Sequence, residues 1–146
     1  MKKNIEKKLL LFAFIGVTGF SATAQKLSAS KVPDVVKSSF AKQYPGAAAK
    51  WEKESGKFEA EFKKHNQTMS ALFEADGTMT ESEISIKVPD LPTAVITYVK
   101  DHYKGKTIKE GAKITKANGT INFEAEVDGK DLIFDAKGNF LKIVKN

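Results

Sequence analysis

The sequence predicts an α+β fold made of two tandem repeats of one helix plus a four-stranded antiparallel meander, packed as a single domain with a broad sheet face. Two observations predict it. Three blocks of sequence recur in the same order in two halves of the chain. Each half also places a helical pattern headed by proline before strands that are separated by turn pairs.

The repeat divides the chain into a first unit at residues 25–88 and a second at residues 89–146. The recurring residues are Pro33, Val36, Tyr44 and Gly46 with Pro92, Val95, Tyr103 and Gly105, then Phe58–Glu61 with Phe123–Glu126, and Phe73–Gly77 with Phe134–Gly138. A unit of about 60 residues buries only about 60% of its unfolded surface and is marginal alone. We therefore expect the two units to pack as one domain.

Each predicted helix starts at a proline and stops at a glycine. Pro33 and Pro92 suit the first helical position, where a missing N–H costs nothing. Apolar residues follow at helical spacing, and Gly46 and Gly105 end the two patterns. The sequence therefore predicts one amphipathic helix at the head of each unit.

Strand pairing follows if each turn pair is treated as a two-residue hairpin loop, because cross-strand partners share a face. The predicted pairs are Trp51–Ala60, Phe58–Phe73, Ile114–Phe123, Phe123–Phe134, Phe134–Leu141 and Leu132–Ile143. The inner face under the helices is predicted to hold Trp51, Phe58, Ala60, Phe62, Phe73, Ile84 and Ile86, then Ile114, Phe123, Ala125, Val127, Leu132, Phe134, Leu141 and Ile143.

The outer face is the candidate binding surface. Its charged members include Glu59, Glu61, Glu124 and Glu126, which we expect to be solvated, and its apolar members are Leu72, Met79, Ile133, Phe140 and Val144. Clustered apolar residues at equivalent places favour an interface. Three interpretations stay open: a surface for a partner protein or peptide, a contact between copies such as a homodimer, or a bulge that returns these residues to the core.

Residues 1–24 are predicted to be a cleaved signal peptide, with the mature chain starting at Gln25. Four lysines precede an apolar run from Leu9 to Phe20, and Ala22 and Ala24 occupy the small-residue positions of a cleavage site. The alternative, a membrane anchor, needs about 20 apolar residues, and this run is shorter. We therefore expect a periplasmic or secreted protein that is not inserted in the membrane after cleavage.

Composition excludes several classes of partner. The chain has no cysteine, so disulfides, thiolate metal sites and a lipidated cysteine are excluded. The net charge of +6 falls to +3 without the leader, and every basic residue is lysine. Because phosphate and base recognition favours arginine, we expect no nucleic-acid partner.

No catalytic or cofactor-binding constellation is apparent, and we expect a non-enzyme with no cofactor. His65 falls on a predicted hairpin turn and His102 near the end of the second helix, a poor pattern for a metal site. Glu59 and Glu61 lie two residues apart, but acid catalysis would need a buried carboxyl with a raised pKa. Trp51 is interpreted as core.

The motifs resemble those of the PepSY-like, beta-lactamase-inhibitor-like family. They are V-P-x-x-V-x-x-x-F-x-x-x-Y-P-G from Val32 to Gly46, Trp51-Glu52, Phe58–Phe62, Phe73–Gly77 and L-P-x-x-V from Leu91 to Val95. The resemblance implies a secreted or periplasmic bacterial tandem-repeat protein with helix-and-sheet repeats. Met79 departs from the pattern, in which a large aromatic residue such as Phe140 is expected.

The leading hypothesis is a non-catalytic binding protein, inhibitor-like by resemblance, that uses the outer sheet face. A second hypothesis is a structural protein of the cell envelope whose apolar patch is buried in a homo-oligomer. A third is a small carboxylate-dependent hydrolase.

Overall fold

The structure is a computed structural model that describes residues 25–145, so the predicted leader lies outside the described residues. The elements are β1 (Gln25–Leu27), α1 (Asp34–Gln43), β2 (Lys50–Glu54), β3 (Lys57–Lys64), β4 (Gln67–Phe73), β5 (Met79–Ile86), α2 (Thr93–His102), β6 (Ile108–Lys116), β7 (Ile121–Val127), β8 (Lys130–Asp135) and β9 (Phe140–Lys145). Short 3-10 turns precede α1 and α2.

The strands form one continuous sheet, which corrects the predicted architecture of two four-stranded repeats. Within the described residues, nine antiparallel strands are ordered β1 to β9. β5 pairs directly with β6, with Glu83 opposite Ile114, although α2 lies between them in sequence. The strand Gln25–Leu27 adds a pairing to β2 that the sequence did not indicate. Because β5 pairs with β6, two strand edges that separate sheets would expose are paired with each other. The fold class is broadly α+β, as predicted.

Both described helices pack on the same face of this sheet. Val36 and Phe40 of α1 pack with Trp51 and the apolar residues of β3 and β4. Val95 and Val99 of α2 pack with the apolar residues of β7 and β8. Each helix ends before its glycine, as the sequence predicts, but begins directly after its proline, because Pro33 and Pro92 are the N-cap residues and not the first helical residues. The interpretation of Trp51 as core is confirmed, since it is 7% exposed.

Three hairpins have true two-residue loops, and their predicted pairs are confirmed. Ser55-Gly56, His65-Asn66 and Asp128-Gly129 have positive φ at both residues, as a primed turn requires. Trp51 pairs with Ala60, Phe58 with Phe73, and Phe123 with Phe134.

Three other hairpins contain a wider loop, and it changes which side chains share a face. Gly77, Gly119 and Gly138 have positive φ while the residues before them do not. Each glycine N–H donates to the carbonyl oxygen three residues earlier, at 2.9 to 3.0 Å. This is the geometry of a type I turn followed by a G1 bulge.

The wider loops make two predicted pairs wrong. Ile114 pairs with Asn122 rather than Phe123, so its side chain lies on the face opposite the helices. Phe134 pairs with Phe140 rather than Leu141, because the register shifts between Ile133 and Phe134. A shift of one residue exchanges the two faces of a strand. Leu141 is accordingly 50% exposed instead of buried.

Candidate functional site

The candidate site is the sheet face that neither described helix contacts, called the helix-free face. The strand register places carboxyl groups and a few apolar residues on it. Its defining side chains are Glu52, Glu54, Glu59, Glu61, Ser70, Leu72, Glu81, Glu83, Glu110, Ile114, Glu124, Glu126, Asp131, Ile133 and Val144. One face of a chain with net positive charge thus concentrates its acidic groups.

The structure divides the predicted apolar patch between the two faces. Leu72, Ile133 and Val144 lie on the helix-free face, as predicted, and Ile133 packs with Val144 and with Ile114. Leu72 and Ile133 are each only 1% exposed, so the expectation that they form an exposed patch is wrong. The sequence analysis missed Ile114 because it assumed a two-residue loop at Asn118-Gly119. The signal was Gly119 itself, since a lone glycine also fits the wider turn.

Met79 and Phe140 are corrections, because both lie on the helix-bearing face. Met79 packs against the α1 core, and the Tyr44 hydroxyl donates to its Sδ at 3.6 Å. Phe140 stacks on Tyr98 of α2, with 4.9 Å between ring centroids and 6° between planes. Register shifts beside Phe73 and Phe134 cause both moves. For these two residues, the bulge interpretation is therefore the correct one.

The prediction that the glutamates of this face are solvated is wrong for its central members. Glu59 and Glu124 are each only 3% exposed, and Glu83 is 1% exposed. Glu61 and Glu126 are half-buried. The sequence pattern of alternating charge cannot distinguish an exposed sheet face from one whose side chains are enclosed.

The sheet curls, which brings distant strands of this face together. Glu83 on β5 and Asp131 on β8 are three strands apart, or about 14 Å across a flat sheet. Asp131 nevertheless raises the pKa of Glu83 by charge repulsion. Lys142 on β9 similarly acts to lower the pKa of Glu81 on β5. Ile114 on β6 also packs with Ile133 on β8, across the intervening strand β7, so the helix-free face is concave.

Burial raises the pKa of the central carboxyl groups, and neighbouring carboxyls add to the effect. The pKa of Glu59 rises to about 8 and that of Glu54 to about 7. Burial also raises the pKa of Glu83 and of Glu124 well above the ordinary value; repulsion from Glu59 and Asp131 adds to the shift of Glu83, and repulsion from Glu83 adds to that of Glu124. Glu59 is therefore mainly protonated at neutral pH, and burial favours the protonated form of Glu83 and Glu124 as well.

Glu83 is the central group of this cluster, and its hydrogen-bonding capacity is the least satisfied. Neither of its carboxyl oxygens has a hydrogen-bond partner among the described residues, although both are fully buried. Glu124 Oε2 and Glu54 Oε2 are also buried without a partner. A buried polar group without a hydrogen bond costs about 1 to 3 kcal/mol, so this face carries an energetic cost that packing alone does not explain.

The histidines and carboxyls of the described residues do not form a recognisable metal centre. No group of three or more possible ligands within residues 25–145 has suitable geometry. His65 is exposed at its hairpin turn, and His102 Nδ1 lies 2.9 Å from the Tyr98 carbonyl oxygen. In the same part of the chain, no helix is long and apolar enough to cross a membrane.

The structural relatives share this fold. A "DUF2874 family" protein from Bacteroides ovatus matches with a TM-score of 0.66 and 20% identity, over 77% of this chain and 86% of that chain. A "BLIP-like" protein from Bacteroides fragilis matches with a TM-score of 0.58 and 25% identity, over 78% and 88%. A "putative periplasmic" protein from Bacteroides eggerthii has a TM-score of 0.69 at 17% identity, over 77% and 88%.

The family comparison is more specific than the structural one. No curated protein matches the chain. A family model described as "Putative beta-lactamase-inhibitor-like, PepSY-like" matches it twice, at residues 20–81 and 56–142. Because these matches cover most of the sequence, the chain belongs to the PepSY-like, beta-lactamase-inhibitor-like family.

Proposed function

We propose that this chain is a non-catalytic periplasmic binding protein that receives a partner protein or peptide on its helix-free face. Its family description is inhibitor-like, and relatives of the same fold are described as periplasmic or BLIP-like. The predicted signal peptide agrees with that compartment.

The proposal rests on the concave helix-free face, whose buried carboxyl groups lack hydrogen-bond partners among the described residues. Neither described helix packs on it, and yet it holds an apolar cluster of Ile114, Ile133 and Val144 beside buried carboxyls without hydrogen bonds. Buried carboxyl groups without hydrogen bonds lower stability, so a monomer rarely keeps them without use. A bound partner would supply the missing donors.

Acid catalysis is the weaker explanation of the same carboxyls. Glycoside hydrolysis pairs a protonated acid with an ionised carboxylate, so the two pKa values must be pushed apart. Here burial and mutual repulsion raise the pKa values of Glu54, Glu59, Glu83 and Glu124 together. The cluster therefore favours binding over proton-transfer chemistry.

Two adjacent residues of β9 provide a matched test of the binding face. Val144 lies on the helix-free face, half-buried beside Ile133, whereas Ile143 lies on the opposite face and is 43% exposed. The partner is captured from the periplasm of the native host, purified, and titrated against both variants. We expect Val144→Glu to weaken binding strongly and Ile143→Glu to retain it. Equal binding by both variants would refute the proposed face.

Self-association is the second candidate function, and the edge strand β9 favours it. Leu141 and Ile143 are 50% and 43% exposed on this strand, which pairs only with β8 among the described strands. An exposed apolar edge strand is a template for a second copy. Light scattering distinguishes the candidates, since a stable dimer that Ile143→Glu dissociates would favour assembly.

A further inference from the structure

We infer that Glu59, Glu83 and Glu124 form an anchor site for a cationic side chain, a lysine or arginine, carried by the bound protein segment. This inference rests on the proposed function and adds to it the chemistry of the partner. It identifies the deepest contact of the face as an ion pair rather than an apolar contact.

The charged groups that act on Glu83 are all acidic. Carboxyls on β3, β5, β6 and β8, namely Glu59, Glu81, Glu110 and Asp131, raise its pKa, and Glu83 in turn raises the pKa of Glu124. Glu124 has the same kind of surroundings. The lysines of the face act instead on Glu81, at one end of the cluster. A cation at the centre would therefore be attracted by these carboxyls once they ionise, and none of the groups that shift the pKa of Glu83 is basic.

The centre of the carboxyl cluster also has unused hydrogen-bonding capacity. Both oxygens of Glu83 and Oε2 of Glu124 are buried and lack donors among the described residues. An ammonium or guanidinium group brings several N–H donors together with the matching charge. A metal ion is a poorer fit, because the described carboxyls do not form a ligand group.

Apolar side chains lie beside the carboxyl groups and form an apolar frame around them. Leu72 lies between Glu59 and Glu81 in the register, Ile114 lies opposite Glu83, and Ile133 lies opposite Glu124. Lysine and arginine bury an aliphatic stem while the charged end finds its partner. The frame therefore suits a side chain that extends from a polypeptide.

Binding at this site must release protons. Glu59, with a pKa of about 8, is mainly protonated at neutral pH, and burial favours the protonated form of Glu83 and Glu124. An ion pair with a protonated carboxyl requires that carboxyl to lose its proton to solvent while the incoming ammonium keeps its own. The affinity for the cation should therefore rise between pH 6 and pH 9. It should also depend on the ionisation enthalpy of the buffer when measured by calorimetry.

The test uses exported, purified protein whose N-terminus has been determined, titrated by calorimetry with a capped pentalysine peptide. We expect Glu83→Gln to weaken binding about tenfold or more, as the loss of a charge-assisted hydrogen bond implies. Asp101→Asn, which removes one charge from an exposed position on α2, should leave binding unchanged. Glu83→Gln should at the same time raise the unfolding midpoint, which a merely structural role for Glu83 would lower.

Three outcomes would overturn the inference. Fully acetylated pentalysine could bind as well as pentalysine, spermidine could bind as tightly as the peptide, or Glu83→Gln could leave affinity unchanged. If any of these occurred while Val144→Glu still abolished binding of the native partner, the anchor would be wrong and the proposed function would stand. If Glu83→Gln kept its affinity for pentalysine and Val144→Glu kept its affinity for the native partner, both the anchor site and the proposed function would be refuted.

Discussion

The two faces of one sheet differ in how they bury side chains. The helix-bearing face encloses Phe73 and Phe134 completely, and aromatic edge-to-face contacts join them to the helices. The helix-free face encloses Glu59, Glu83 and Glu124, and it leaves both oxygens of Glu83 and one of Glu124 without a hydrogen-bond partner. Burial alone therefore does not identify a stabilising core. The apolar burial on the helix-bearing face stabilises the fold, whereas the burial of carboxyl groups on the helix-free face lowers its stability.

The largest expected effect is on the helix-bearing face. Phe73→Ala removes a fully buried ring that contacts Phe40 and Trp51. We expect a loss of about 3 to 5 kcal/mol in the free energy of unfolding, the usual cost of such a cavity. Urea denaturation measures it, and a loss below about 1 kcal/mol would mean that this face is not the core.

The pH dependence of stability should come from the other face. The folded-state pKa of Glu59 is raised to about 8 from 4.5, so the folded state keeps a proton that the unfolded chain has lost. Stability should therefore fall as pH rises from 5 to 8, by up to about 1.4 kcal/mol per pH unit for each such group. Urea midpoints across this range measure the slope.

The direction of this slope is diagnostic. Asp34, Asp76, Asp128 and Asp135 have lowered pKa values, and they change stability only at lower pH. Glu83→Gln should reduce the slope between pH 5 and 8. Stability that rises with pH over this range would contradict the protonated cluster.

A smaller effect should show how α2 packs on the sheet. A Cβ at Gly138 would lie 2.7 Å from Ala94 Cβ, whereas one at Gly119 meets nothing within 4 Å. Both glycines have nearly the same positive φ, so alanine costs about 1 to 2 kcal/mol of backbone strain at either site. We expect Gly138→Ala to cost about 1 to 3 kcal/mol more than Gly119→Ala. Equal unfolding midpoints would place α2 away from this turn.

The sequence predicted the helices and half of the hairpins because their local chemistry is distinctive. Proline before each helix and glycine after it mark the ends, and both residues of His65-Asn66 adopt positive φ as the two-residue loop requires. Asn118-Gly119 looks the same in sequence. Its asparagine keeps a negative φ and the loop is wider, so the side-chain faces of β6 were predicted the wrong way round.

The candidate site could be predicted only in part. Leu72 and Ile133 were placed on the correct face because the hairpins at His65-Asn66 and Asp128-Gly129 have true two-residue loops. Val144 was placed correctly because the register shift beside Phe134 restores the two-residue pairing farther from the turn. The burial of Glu59 and Glu124 could not be predicted, since it depends on curvature accumulated over many strands. The same curvature creates the carboxyl cluster.

The most direct test is an NMR titration of the Glu83 side-chain carboxyl carbon, alone and with saturating pentalysine peptide. We expect a midpoint well above the ordinary value of 4.5 in the free protein and a markedly lower midpoint with the peptide, because the ion pair favours the charged form. A free-protein midpoint near the ordinary value of 4.5, unchanged by the peptide, would contradict both the protonated cluster and its role as an anchor.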